Sequence, residues 1–118
     1  MRSILIAALA TLATATAQAA CIYPRAPEQL PDGNTASYDE MVAAQQAVRQ
    51  FNEDITAYNT CLDLEMKSFE ESGLYDEARL TELRAMQAKK NNSAVDEVEA
   101  IVSRFNEQLR AFKVRDKK

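Results

Sequence analysis

Apolar positions along this chain fall into two long stripes. The first places Met41, Ala44, Val48, Phe51, Ile55, Tyr58, Leu62, Met66 and Phe69 at alternating steps of three and four. That spacing keeps one face of a single long helix apolar. The second reads Leu80, Leu83, Gln87, Asn91, Ala94, Val98, Ile101, Phe105, Leu109 and Phe112 in the same rhythm, turning polar only in its middle. Two helices are therefore predicted, at about 38–71 and 77–114, roughly 51 Å and 57 Å long at 1.5 Å per residue.

Local signals agree with those limits. Ser37 and Glu40 have the spacing of a capping box that opens the first helix. Gly73 can end it as a left-handed C-cap, with Phe69 and Leu74 at the two positions that touch in a Schellman motif. Asp76 can cap the second helix. An alternative ends that helix at Lys89-Lys90 and restarts it at Ser93, giving a three-helix bundle with a break near 91–93. Unbroken phase from Gln87 to Val98 favours one helix. Asn91-Asn92-Ser93 also fits a glycosylation sequon and, on the helical reading, marks a soft spot.

Folding one stripe on the other about Gly73-Leu74 brings residues whose numbers sum to 149 face to face. Met66 then opposes Leu83, Leu62 opposes Gln87, Tyr58 opposes Asn91, Ile55 opposes Ala94, and Ala44 opposes Phe105. Small side chains meet large ones, as interdigitating layers require. The expected fold is all-α, a long antiparallel two-helix hairpin.

Before the hairpin, all three prolines of the chain lie at Pro24, Pro27 and Pro31. They fix φ and remove backbone donors, so this arm is expected to run extended. Pro31-Asp32-Gly33-Asn34 then signals a reversing turn, with Gly and Asn free to take positive φ. The first 19 residues read as a signal peptide: one charge at Arg2, an uncharged run from Ile4 to about Ala17, and the small-residue site Ala17-Gln18-Ala19. The expected organisation is thus a signal peptide at 1–19, an extended arm at 20–36 and a helical hairpin domain at 37–115, exported to the periplasm or secreted.

Export changes the meaning of the two cysteines. An oxidising destination permits a Cys21–Cys61 disulfide, and the reach is adequate. Ser37 to Cys61 is roughly 36 Å of helix, and Cys21 to Pro31 is roughly 31 Å of extended arm. Ile22, Tyr23 and Leu30 of the returning arm are then expected to cover apolar surface near Cys61. Two alternatives stay open. The thiols can remain free, or Ala19-Ala20-Cys21 can serve as a lipoprotein site, which would anchor the protein to a membrane and exclude the disulfide. Gln18 stands where such a site normally carries an aliphatic residue.

Composition removes several functions. Cleavage would take away only Arg2 among the charges, leaving 13 basic against 18 acidic side chains and a net charge of −5. Nucleic-acid binding, which needs a basic face, is disfavoured, as is simple adhesion to anionic lipid. The chain contains no His, so the commonest general base and transition-metal ligand are missing. No glycine-rich phosphate loop is present. The acidic doublets, such as Asp39-Glu40 and Glu70-Glu71, read as solvated helix faces. Met41, Met66 and Met86 read as core filling rather than metal ligands. No enzyme, no cofactor and no metal site is expected.

Cys21, Pro24, Pro31-Asp32-Gly33, Glu40-Met41, Tyr58 with Cys61-Leu62, Ala94-Val95-Asp96-Glu97 and Phe105-Asn106-Glu107-Gln108 together resemble a group of short exported helical proteins of proteobacteria. The resemblance covers nearly all of the chain after the leader. It implies a periplasmic hairpin and no particular activity.

What remains is interaction. Val95, Val102, Phe105, Leu109 and Phe112 widen the second stripe beyond what one facing helix can cover. They form the candidate partner-binding surface, for a second copy of the chain or another envelope protein. The alternative is a small-ligand or ion carrier using the groove between arm and hairpin, with Tyr58, Gln87 and Asn91 as orienting groups.

Overall fold

The computed structural model describes residues 20–117. The leader reading at 1–19 lies outside them. Two α-helices and no strands occur among the described residues: α1, Tyr38–Ser72, and α2, Glu77–Asp116. They pack antiparallel as the expected hairpin. α2 runs without a break through Asn91-Asn92-Ser93, so the three-helix alternative does not hold. Ala94, fully buried on that stretch, shows why: a break there would take a seam residue out of the core.

Caps fix the start of α1 at the open end and both sides of the hairpin turn. Ser37 and Glu40 form the full capping box, with the Glu40 amide donating to Ser37 Oγ at 3.1 Å and the Ser37 amide to Glu40 Oε2 at 2.6 Å. These bonds hold the Glu40 carboxyl below its usual range. Gly73 takes φ 67°, the left-handed conformation that side chains resist, and stops α1. The expected Phe69–Leu74 contact is replaced. Leu74 is 81% exposed, and Phe69 instead meets Tyr75 edge-on at 5.4 Å between ring centres. Asp76 accepts from the Arg79 amide at 2.8 Å to open α2.

Residues 20–36 form the third element, an irregular arm laid back along the hairpin. Cys21 and Cys61 are joined as a disulfide, their Cα atoms 5.8 Å apart. At the other end, the Thr35 and Ala36 amides donate to the Asp32 carbonyl, and Asp32 Oδ1 accepts from both the backbone and the side-chain amide of Asn34. The turn does not use the positive φ expected of Gly33 or Asn34; among the described residues only Gly73 has it. Gly33 is needed for closeness instead. A Cβ there would collide with the backbone of Gln108 and Phe112, so the turn lies flat on α2.

The core is a single cluster that includes Met41, Phe51, Ile55, Leu62, Ala94, Ile101, Phe105 and Phe112, with Cys21, Ala26 and Leu30 of the arm packed on it. Its distribution is uneven. Every fully buried residue of α2 lies at Ala94 or beyond, while α1 keeps burying residues as far as Met66. The arm explains the asymmetry, because it covers the hairpin only from Cys61 to the open end. Among the described residues, the segment 62–90, the tip half, has no third segment laid along it.

Candidate functional site

The arm decides which surfaces remain for a partner. It is anchored twice, by chain continuity at Ser37 and by the disulfide at Cys61, so it must span the whole open half between them. Tyr23 stacks edge-on against Tyr58 with ring centres 5.1 Å apart, and its hydroxyl donates to Glu97. Partial burial, then the Glu97 carboxylate, push the Tyr23 hydroxyl up to about 12. Farther on, the Gly33 amide donates to Gln108 Oε1 at 2.9 Å, and Arg115 donates to the Ala36 carbonyl at 2.5 Å. Ile22 contributes nothing to this cover and is 83% exposed.

Consequently the arm reaches much of the proposed partner surface. Phe105 and Phe112 are buried within the chain, and Val102 and Leu109 pack half-buried against the core. Val95 stays open at 43% exposure, apart from the other four. The reach of the arm to Cys61 led to the expectation that Ile22, Tyr23 and Leu30 cover the surface near Cys61; Leu30 instead lies against the far part of α2, beside Ile101 and Arg104. Fixing both ends brings residues 30–36 onto the end of α2.

At mid-seam the polar layer is real but divided. Gln87 donates to Asp63 Oδ1 at 2.5 Å across the seam. One helical turn farther, at the same register, Asn59 Oδ1 and Asn91 Oδ1 are buried without a hydrogen-bond partner. Tyr58 is buried beneath Tyr23. Asp63 and Asn59 each sit one residue past a stripe position, Leu62 and Tyr58, and periodicity did not single them out.

The two sides of the tip half differ. On one, Arg84 pairs across the hairpin with Glu70 of α1 and along its own helix with the exposed Glu77, each at 2.9 Å. On the side where the arm lies, a cleft of about 120 Å³ opens between Phe69, Leu83 and Met86, lined also by Glu65 and Lys90. It continues into a hollow past the disulfide, walled by Leu64 and Ser68. Leu64 and Met86 are 64% and 50% exposed. A separate shallow groove of about 510 Å³ runs between arm and α2, lined by Pro27, Leu30, Asp32, Arg104, Glu107 and Gln108 among others.

Among the described residues no group of three or more carboxylate or thiol side chains is placed to share a cation, and no helix is long and apolar enough to cross a membrane. Compared with protein families, curated proteins and solved structures, the chain finds no match.

Proposed function

We propose that this is an exported, non-enzymatic helical interaction protein that binds another protein chain through apolar helix surface. The observation that carries the reading is the half-covered hairpin. One end is finished with a disulfide-pinned arm, and the other presents Leu64, Leu74 and Met86 to solvent. Domains of this size need most of their apolar surface buried, and the tip leaves three large apolar side chains in solvent. The disulfide suits an oxidising compartment, which supports the periplasmic or secreted destination read from the leader. With the Cys21 sulfur bonded to Cys61, no thiol is left there for a lipid anchor.

The test is chemical crosslinking of the exported protein in intact envelopes, with the contact positions mapped by mass spectrometry. Crosslinks concentrated at 62–90 support the reading. Recovery of an uncrosslinked monomer alone, from cells expressing it at natural levels, contradicts it. The polar groove between arm and α2 carries the second reading, a small-ligand carrier. There, Arg104→Ala would abolish ligand-induced thermal stabilisation without changing crosslinking at the tip.

A further inference from the structure

We infer that removal of the leader completes the fold: the α-ammonium group that cleavage leaves on Ala20 seats against Glu65 and locks the start of the arm to α1. It needs the exported destination read from the leader, and nothing else of the interaction reading. Hydrolysis of the Ala19–Ala20 amide by a leader peptidase adds one water across that bond. The new carboxylate departs with residues 1–19. The amine stays on Ala20 and is protonated at neutral pH, because an α-amino group ordinarily titrates at about 7.7–8.0. A neutral peptide nitrogen with one N–H thus becomes a cation with three.

The surroundings of Ala20 suit that charge. Ala20 lines the hollow past the disulfide with Leu64, Glu65, Ser68 and Phe69 of α1. Cys21 and Cys61, which border it too, are bonded to each other, so among the described residues Glu65 is the one titratable side chain of the lining. Glu65 is half-buried. Among the described residues it pairs with no Lys or Arg. Lys90 of α2 borders the neighbouring cleft, which Glu65 also lines, yet stays beyond ion-pair distance. A carboxylate beside Leu64 and Phe69 is less well solvated than one in open water, and a cation delivered at this point by the chain itself offsets that loss. Ser68 follows Glu65 by three residues, so the two share a face of α1. Its hydroxyl can accept a second ammonium hydrogen. Because Cys21 is tied to Cys61, the new terminus lies one residue from a fixed point, and little chain freedom is lost on pairing.

The test takes the exported, disulfide-intact protein, establishes its first residue by mass spectrometry, and follows the α-amino group of Ala20 through a pH titration by nuclear magnetic resonance. Circular dichroism checks that each variant folds. Ala20 is expected as the first residue, with an amine that titrates above the ordinary range of about 7.7–8.0, because a neighbouring carboxylate favours the charged form. Glu65→Gln should return it to that range, whereas Lys90→Gln should not lower it. Reduction of Cys21–Cys61 should also return it, since the terminus is then no longer held beside α1. An Ala20 amine that titrates in the ordinary range, or equally in wild type and Glu65→Gln, overturns the inference and leaves the exported reading standing. A chain that begins at another residue after leader removal does the same. A chain that retains residues 1–19 in intact cells removes both.

Discussion

Two halves of one hairpin share the same helices and differ in two respects: the open half carries a third segment, and the α2 stripe of the tip half turns polar at Gln87. In the open half, the arm lies over the trough and buries Val98, Ile101, Phe105 and Phe112 of α2. In the tip half, no residue of α2 is fully buried, and α1 buries only Leu62 and Met66. Helical periodicity is equally good in both. Two facing helices have one seam, and a seam hides only the innermost stripe of each. A third strand of chain, even an irregular one, turns that seam into a core. The tip half is held instead by caps and by half-exposed ion pairs such as Arg84–Glu70, a type worth at most about 1 kcal/mol.

That contrast can be broken by truncating one side chain in each half. Phe51→Ala removes a residue 2% exposed and should cost about 3–5 kcal/mol in denaturant unfolding. Leu74→Ala, at 81% exposure, should stay within about 0.5 kcal/mol. Equal losses would abolish the distinction. Removing the disulfide with Cys21→Ser and Cys61→Ser tests whether the arm is its cause. The bridge spans 40 residues in sequence, which the chain-entropy model makes worth about 4 kcal/mol. Limited proteolysis should then cut the arm while leaving the tip turn at Gly73 no more sensitive than before. A smaller effect is expected at the other anchor. Gly33→Ala forces a Cβ into the backbone of α2, and overpacking of this kind costs about 1–3 kcal/mol. Chemical-shift changes should centre on Gln108 and Phe112 and spare the tip.

The mildest perturbation is alkaline pH. Tyr23 is raised to about 12, first by desolvation and then by its bond with Glu97. A folded value above the ordinary 10 means that the fold favours the neutral phenol. Its contribution is therefore intact below pH 10 and is lost as pH rises from 10 toward 12. The arm should become more accessible to protease in that window, and Tyr23→Phe should remove the pH dependence. An unchanged profile in the Phe variant would show that Tyr23 does not hold the arm.

Much of this was readable in the sequence because it is periodic. The seam register follows from the spacing of stripe residues, and the Gln87–Asp63 bond falls within one residue of it. Helix limits were readable because Ser37, Gly73 and Asp76 act locally. The rest depended on contacts that no period encodes. Gly33 reads as a flexible turn residue, yet its place is set by the approach of α2. Tyr75, rather than Leu74, meets Phe69 because the orientation of a turn side chain is not a matter of spacing. Above all, the partner surface proposed at Val95, Val102, Phe105, Leu109 and Phe112 counted the width of a stripe without its lid. The arm that covers Phe105 and Phe112 carries too few apolar residues to announce where it lies.

Hydrogen exchange at a concentration low enough to keep the protein monomeric tests the central claim most directly. With the disulfide intact, amides in Val48–Tyr58 and Val98–Phe112 should be the slowest. Those in Met66–Ser72 and Leu80–Ala88 should exchange about a hundredfold faster, because local opening is easier where fewer apolar contacts must break. Reduction of Cys21–Cys61 should bring the open half toward the rate of the tip. Uniform protection along both helices, unchanged by reduction, would contradict the account that the arm divides this hairpin into a closed core and an open end.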